Sequence, residues 1–466
     1  MSGFLFSCIV PCLLIVTAAA STNGRPIHFA AANTFSSGMD HSGYVAAGDF
    51  NGDGYPDLVV ATTYSSVAVY LGTGTGSFGP PAIFTLTYYV TGQVVVGDFN
   101  GDGKLDFAVV GGDTVGNGLA LFAGNGDGTF QPVQYFPTTL AGAEISAVTG
   151  NFSGSLDIFT GGNGSSMLIL NDGKGTFSGS GPALNTYGFD VAAGDFNHDG
   201  RLDAAATQPS FAFSGAGVNV LLGNGDGTFQ EPQLYSGMEN PLGITTGDFN
   251  GDGKLDLAVT DYEADTVVIL QGNGDGTFTN IGQFYAGFEP GSVAAADFNQ
   301  DGNLDLAVSD YASDVLTILP GVGTGMFQSS FTVTTASAPS DVIAVDVNSD
   351  GSPDLVVVNN TANSISVLLN SNGTTVQLTG SPNPAKSGES VTFAAIVRAS
   401  VAKTTPSGTV TFYDGKRPLE TVPLIHGRAL FNTSSLSIGS HSIAAAYSGS
   451  AQFNPNHSHI WVEKID

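Results

Sequence analysis

Asp49-Phe50-Asn51-Gly52-Asp53-Gly54-Tyr55-Pro56-Asp57 is the stretch on which the reading of this chain turns. It sets side-chain oxygens at positions 1, 3, 5 and 9 of a tight loop and a glycine at position 6. That is the oxygen pattern of a calcium loop. The pattern Asp-x-Asn-x-Asp-Gly-x-x-Asp returns five times. The ligand sets are Asp98, Asn100, Asp102 and Asp106; Asp195, Asn197, Asp199 and Asp203; Asp248, Asn250, Asp252 and Asp256; Asp297, Asn299, Asp301 and Asp305; and Asp346, Asn348, Asp350 and Asp354. Position 7 is Tyr55, Lys104, Arg201, Lys254, Asn303 or Ser352. Such variety is expected of a residue that offers only its backbone carbonyl. Three carboxylates and an amide per loop suit a hard cation, and about six structural Ca2+ ions are expected. Without the position-12 glutamate of an EF-hand, affinity is expected near ~10⁻⁴–10⁻³ M.

The spacing of the loops points to the fold. Their first residues fall at 49, 98, 151, 195, 248, 297 and 346. The third member, Asn151-Phe152-Ser153-Gly154-Ser155-Leu156-Asp157, is two residues short and lacks two carboxylates. It is expected to fold as a repeat without binding calcium. A second signature follows each loop, clearest as Gly124-Asn125-Gly126-Asp127-Gly128-Thr129-Phe130, Gly223–Phe229 and Gly272–Phe278. No acid stands at its ninth position, and its glycines suit a tight hairpin. One unit parses into four strands, such as Ser292–Ala296, Leu304–Ser309, Asp314–Leu319 and Phe327–Thr334. Four strands in about 49 residues is the period of a propeller blade. The predicted fold class is all-β: a seven-bladed β-propeller followed by an Ig-like β-sandwich. The seventh unit shows three strands, and the segment 27–35 is predicted to supply the fourth and close the ring.

The loops, the Leu-Asp-Leu-Ala-Val strands and the Gly-Asn-Gly-Asp-Gly-Thr-Phe hairpins resemble FG-GAP/VCBS repeats, which also occur in the propeller of integrin α chains. The resemblance covers residues 27–373. It implies a calcium-bearing propeller in secreted or cell-surface proteins, and no single activity.

Charge is distributed to match. Net charge is −29. Residues 1–373 hold 36 Asp and Glu against 5 Lys and Arg, whereas residues 374–466 hold 5 against 7. The six loops supply 18 of those 36 acids. No basic footprint exists for a nucleic-acid partner. Residues 1–20 read as a signal peptide ending Ala18-Ala19-Ala20, with a retained membrane anchor as the alternative. Cys8 and Cys12 both lie inside it, so the mature chain, residues 21–466, would hold no disulfide. No later run of ~18 apolar residues spans a membrane.

Residues 374–466 form the second predicted domain. Ser381-Pro382-Asn383-Pro384 reads as a linker, followed by strands at Ser390–Val397, Thr409–Tyr413, Arg428–Asn432 and Ser442–Tyr447, with a hairpin turn at Asp414-Gly415. Pro406–Gly415 and Ala446–Ser450 resemble bacterial Ig-like repeats, which act as spacers or adhesive modules. The segment bearing His457 and His459 reads as a mobile tail, with metal chelation by the pair as the alternative.

Alternate connections of a meander lie on opposite faces, so the calcium loops and Gly-rich hairpins share one. The other collects Tyr64, Phe211, Phe213, Tyr262, Glu263, Asp265, Tyr311 and Asp314, with Glu144, Tyr187, Glu239, Asn240, Glu289 and Asp341 from the blade-to-blade loops. Tyr262, Glu263, Tyr311, Glu239 and Glu289 are the candidate ligand face. Tyrosines among carboxylates suit sugar or peptide binding. The expectation is a secreted or cell-surface binding or adhesion module for carbohydrate or an extracellular protein. The alternative is an extracellular enzyme on polysaccharide or phosphoester, with Glu239 and Glu289 converging at the central opening. No catalytic residues are assigned.

Overall fold

A computed structural model describes residues 25–466 apart from 63–64, 87–91, 113–116, 139–143, 163–165, 179–187, 211–214 and 402–403. The expected signal segment, Tyr64, Tyr187, Phe211 and Phe213 lie outside the described residues, as does the side chain of Glu144.

Each repeat is built on a run that is apolar on both faces. Leu58-Val59-Val60 and Leu355-Val356-Val357 are fully buried, as a strand flanked by two sheets requires. Around each run the chain forms a four-stranded antiparallel sheet. The first is Ser42–Gly48, Asp57–Thr62, Ser66–Tyr70 and Ala82–Thr85 in that order. Seven such sheets form, six from consecutive strands. The seventh takes Pro339–Val345, Asp354–Asn359 and Ser364–Leu368 and completes itself with Asn33–Ser36 from the N-terminus. Asn33 stands opposite Val367 and Ser36 opposite Ser364, and Phe29 bridges Asn370 further out. The innermost strands touch their neighbours around a closed circle, so the sheets are blades of a propeller.

The core lies between blades rather than within one. Seven apolar clusters each straddle two adjacent blades. Position 2 of the loop motif is apolar for this reason, phenylalanine in every copy but the last, where it is Val347. Phe50 of the first loop meets Phe107 and Phe130 of the second blade edge-on, at 6.1 and 5.5 Å. The outermost strand of the sixth blade is shorter than predicted. Only an isolated Gly321–Phe327 bridge precedes Phe331–Thr334, because Gln328-Ser329-Ser330 gives the blade nothing apolar to bury.

The C-terminal domain begins at once. Thr374–Ser381 is already one of its strands, pairing with Val391–Ala399, and that pair is joined by Arg428–Thr433. Val376 and Leu378 alternate into its core with Phe393 and Phe412. The predicted linker at Ser381–Pro384 is thus a turn inside the domain; the two prolines break pairing there but do not separate domains. The second sheet carries Thr409–Asp414, Arg417–Pro423, Gly439–Tyr447, Asn456–His457 and Trp461–Ile465. The tail that reads as mobile is therefore a paired strand, anchored by the buried Ile465.

Candidate metal loops, axial ring and opposite face

The first carboxylate of each loop organises it. Asp49 accepts Gly52 and Asp53 amides on Oδ1 and the Gly54 amide on Oδ2, at 2.7, 3.2 and 2.9 Å. Asn51 Oδ1 accepts the Asp53 amide and Asp53 Oδ1 the Tyr55 amide. The same net recurs at Asp98, Asn100 and Asp102, where Lys104 gives the last amide, and at Asp248, Asn250 and Asp252, where Lys254 does.

The other three loops carry His198, Gln300 and Ser349 at position 4, where the first three have glycine; all three hold left-handed backbone. Their side-chain net is otherwise the same. Asp195 accepts the Asp199 and Gly200 amides, Asn197 Oδ1 the Asp199 amide and Asp199 Oδ1 the Arg201 amide. Asp297 accepts the Asp301 and Gly302 amides, Asn299 Oδ1 the Asp301 amide and Asp301 Oδ1 the Asn303 amide. Asp346 accepts the Asp350 and Gly351 amides, Asn348 Oδ1 the Asp350 amide and Asp350 Oδ1 the Ser352 amide. Asn197, Asp301 and Asn348 thus stand where the pattern puts them, each spending an oxygen on a backbone amide. Each oxygen keeps lone-pair capacity beyond these bonds.

The ninth carboxylate has a different employment. Asp57 is fully buried; its Oδ2 accepts the Phe50 amide at 2.8 Å and its Oδ1 the Gly72 amide at 2.7 Å. It therefore clips the loop to the start of the Gly-rich hairpin. Asp106, Asp203, Asp256, Asp305 and Asp354 make the same pair of bonds. Asp157 of the degenerate loop keeps half of it, accepting the Asn171 amide and the Ser153 hydroxyl. This explains why that repeat retains its ninth residue after losing two other acids. Among the described residues no three His, Cys, Asp or Glu side chains already converge as a metal site. The ninth carboxylate, turned onto two amides, is one reason. The donor set nevertheless fits calcium: all-oxygen, anionic, and in one loop short of donors. Asp350 Oδ2 is buried without a hydrogen-bond partner. Burial raises Asp203, Asp256 and Asp297 to about 6, and Asp305 and Asp354 to about 8.

Loops also latch blade to blade. The Phe50 carbonyl accepts the Gly128 amide of the next hairpin at 3.0 Å, and Phe152, Phe196 and Phe249 repeat this with Gly227, Gly276 and Gly325. The Asp of the hairpin signature is occupied locally: Asp127 Oδ1 accepts the Thr129 amide and hydroxyl at 3.0 and 2.6 Å.

Five residues before each loop stands a position that the sequence reading passed over, apart from Asp341. It is Tyr44, Gln93, Ser146, Asp190, Gly243, Ser292 and Asp341, one per blade, with the spacings of the loops themselves. In five blades it adjoins a bulge in the innermost strand, which re-aims side chains. Tyr44, Asp190 and Asp341 belong to the first, fourth and seventh blades. Asp341 adjoins Tyr44 in the closed ring, accepting the amide of the next residue, and Asp190 of the fourth blade is also near enough to raise the Tyr44 hydroxyl, which puts it across the axis from both. Burial pushes Asp190 up to about 6 and raises Asp341. Both carboxylates tie blades together. Asp190 accepts the Ser146 hydroxyl at 2.5 Å and the Ile244 amide at 2.9 Å; Asp341 accepts the Ser292 hydroxyl and the Val45 amide, each at 2.9 Å. The repeating period of the loops was the signal that could have revealed this ring.

On the face away from the loops, Tyr262, Glu263, Asp265, Phe288 and Glu289 line an open cavity of about 570 Å³. The Glu289 carboxylate stands beside Tyr262; partial burial and that carboxylate push the Tyr262 hydroxyl up to about 12. Tyr311 stands near enough to add to the shift, and Tyr285, Phe288 and Tyr311 are exposed. Glu239 lies outside the cavity lining. It flanks the same loop from the other side, where the Asn240 carbonyl accepts the Tyr262 amide at 3.0 Å. Tyr262, Glu263, Glu289 and Tyr311 are thus brought together, and Glu239 and Glu289 are not. A repeated clasp fixes these loops: Asp265 accepts the Glu289 amide, Asp314 that of Ala338 and Asn363 that of His41, all in left-handed backbone.

The family model of the FG-GAP-like repeat matches residues 49–109, 98–154, 151–206, 211–259, 248–308 and 301–357. That of the bacterial Ig-like domain (group 3) matches residues 378–463. Comparison with curated proteins gives no match. Among solved structures, BBS1N in complex with ARL6DN is similar at 11% identity and a TM-score of 0.51, over 73% of this chain and 96% of that one. The extracellular domain of BT4673 from B. thetaiotaomicron shares 10% identity at a TM-score of 0.44, over 92% of this chain and 57% of that one. Only the first bears on the fold, and at that identity on nothing else. Among the described residues no helix is long and apolar enough to cross a membrane. With six consecutive repeats matched around a seven-bladed ring, the chain belongs to the FG-GAP-like repeat family.

Proposed function

We propose that this protein is a secreted or cell-surface binding module, braced by calcium on one face and recognising a carbohydrate or protein on the other. The observation that carries the reading is the cavity around Tyr262 and Glu289. Exposed rings of Phe288 and Tyr311 offer flat apolar surface, and Glu263, Asp265 and Glu289 offer acceptors to hydroxyl or ammonium groups. Calcium would be held by the first, third and fifth side chains of each loop, the seventh carbonyl and the free lone pairs of the ninth carboxylate. Its chemistry there is charge neutralisation. The loops touch the next blade through the position-2 carbonyl, so a filled loop stiffens a blade junction.

The test is a glycan and matrix-protein binding screen with and without calcium. A ligand is expected whose affinity falls at least tenfold in Tyr262→Ala and Phe288→Ala. Turnover of any polysaccharide by the pure protein would overturn a purely binding role.

A further inference from the structure

The six loops are not alike in their surroundings. The position-6 glycines Gly54, Gly103, Gly200, Gly253 and Gly302 look into open space. Gly351 of the last loop does not: the Asn456 side chain of the Ig-like domain lies against its Cα. Asp53, Asp102, Asp199 and Asp252 are exposed at position 5, whereas Asp350 is 1% exposed. The covering is specific. Asn456 Nδ2 donates to the Asp350 carbonyl at 2.5 Å. Asn454 Nδ2 donates to the Ser352 hydroxyl and the Phe298 carbonyl, at 3.0 and 3.2 Å. Arg25 ties the neighbouring loop to the same domain, donating to Asn299, Gln300 and Ser450 carbonyls.

Inside this junction, acceptors outnumber donors. Asp350 Oδ1 takes the Ser352 amide at 3.0 Å, and Oδ2 is buried with no donor in hydrogen-bonding geometry, although the Ser400 hydroxyl and the Asn348 side chain both approach the carboxylate. Asn454 Oδ1, on the Ig-like side, is likewise buried without a donor. A buried carboxylate oxygen with no donor is costly unless a cation meets it. Resting on the calcium reading above, we propose that a divalent cation in the Asp346 loop is enclosed by the Ig-like domain and locks the two domains together. The four loops that begin at Asp49, Asp98, Asp195 and Asp248, whose position-5 carboxylates are exposed, exchange freely with solvent. Removing the cation leaves Asp350 charged and unpaired at the interface, which then opens.

Hydrogen exchange on the full chain reads the junction through the Asn454 amide, bonded to the Asn372 carbonyl at 2.8 Å. Equilibrium dialysis counts bound calcium in parallel. Chelation is expected to speed exchange at residues 450–458 at least tenfold. Asp350→Asn, which removes that unpaired charge, should lose one ion and leave the junction indifferent to chelation, while Asp102→Asn loses one ion and keeps the calcium dependence. Asn456→Ala, which removes bonds to the Asp350 and Thr374 carbonyls and no loop carboxylate, should convert one slowly released calcium into a fast one. Six bound ions with junction protection indifferent to calcium would overturn the lock and leave the calcium reading standing. No bound calcium would end both. If Asp350→Asn does not fold, the wild-type and Asn456→Ala comparisons still decide.

Discussion

At the scale of single residues, the ninth aspartate of the repeat separates a fold requirement from a metal requirement. Asp256 satisfies two buried amides, those of Phe249 and Gly272. Each buried amide left unpaired costs about 1–3 kcal/mol. Asp256→Ala should therefore lose roughly 2–5 kcal/mol in denaturant unfolding, even in excess chelator. Asp157→Ala, in the loop without the metal set, should lose about 1–3 kcal/mol and show no dependence on calcium at all. The buried aspartates also set a pH response. Asp203, Asp256 and Asp297 are held at about 6 and Asp305 and Asp354 at about 8, against an ordinary 3.8, because burial disfavours their charge. The folded state then binds these protons more tightly than the unfolded chain. Stability from this source is fully present below about pH 4 and is lost as pH rises towards 8. Calorimetry of the calcium-free protein should show Tm rising as pH is lowered from 8 to 5. Saturating calcium, which binds the charged forms, should flatten or reverse that trend.

At the scale of elements, the closing strand Asn33–Ser36 is the most exposed commitment of the ring. It covers the free edge of Ser364–Leu368 with four paired residues. Deleting residues 25–36 should leave that edge bare and drive self-association, read as a mass increase in light scattering. A chain that stays monomeric with an unchanged melt would show that the edge is protected otherwise. The blades were legible in the sequence because loop and hairpin recur in step, and Leu-Asp-Leu-Ala-Val can only be a strand buried on both sides. The clipping of two amides by Asp57 and its equivalents was not legible, since a metal ligand and an amide acceptor are the same residue type. Nor was the axial ring: Tyr44, Gln93, Ser146 and Asp190 share a position but no chemistry, so only their period betrays them. Asn454 and Asn456 look like ordinary loop residues until the domain that carries them is seen against Gly351.

At the scale of the whole molecule, the proposed calcium would act together with charge. If each loop binds with a Kd of ~10⁻⁴ M, calcium at ~2 mM stabilises the fold by about 2 kcal/mol per site. Chelation should lower Tm steeply, and added sodium chloride should recover part of the loss by screening a net charge of −29. An unchanged Tm after chelation would remove calcium from the account of stability. The ring also imposes an order on its own making. Thr34 meets Ser366, 332 residues later. At ~5–20 residues per second, synthesis of the intervening chain takes roughly 20–60 s. Throughout that time the first strand has no partner, and the blades accumulate one by one as an open arc. The circle can shut only after almost the whole propeller has emerged, so the ribosome handles an unclosed protein, and the Ig-like domain arrives afterwards, on the junction just formed.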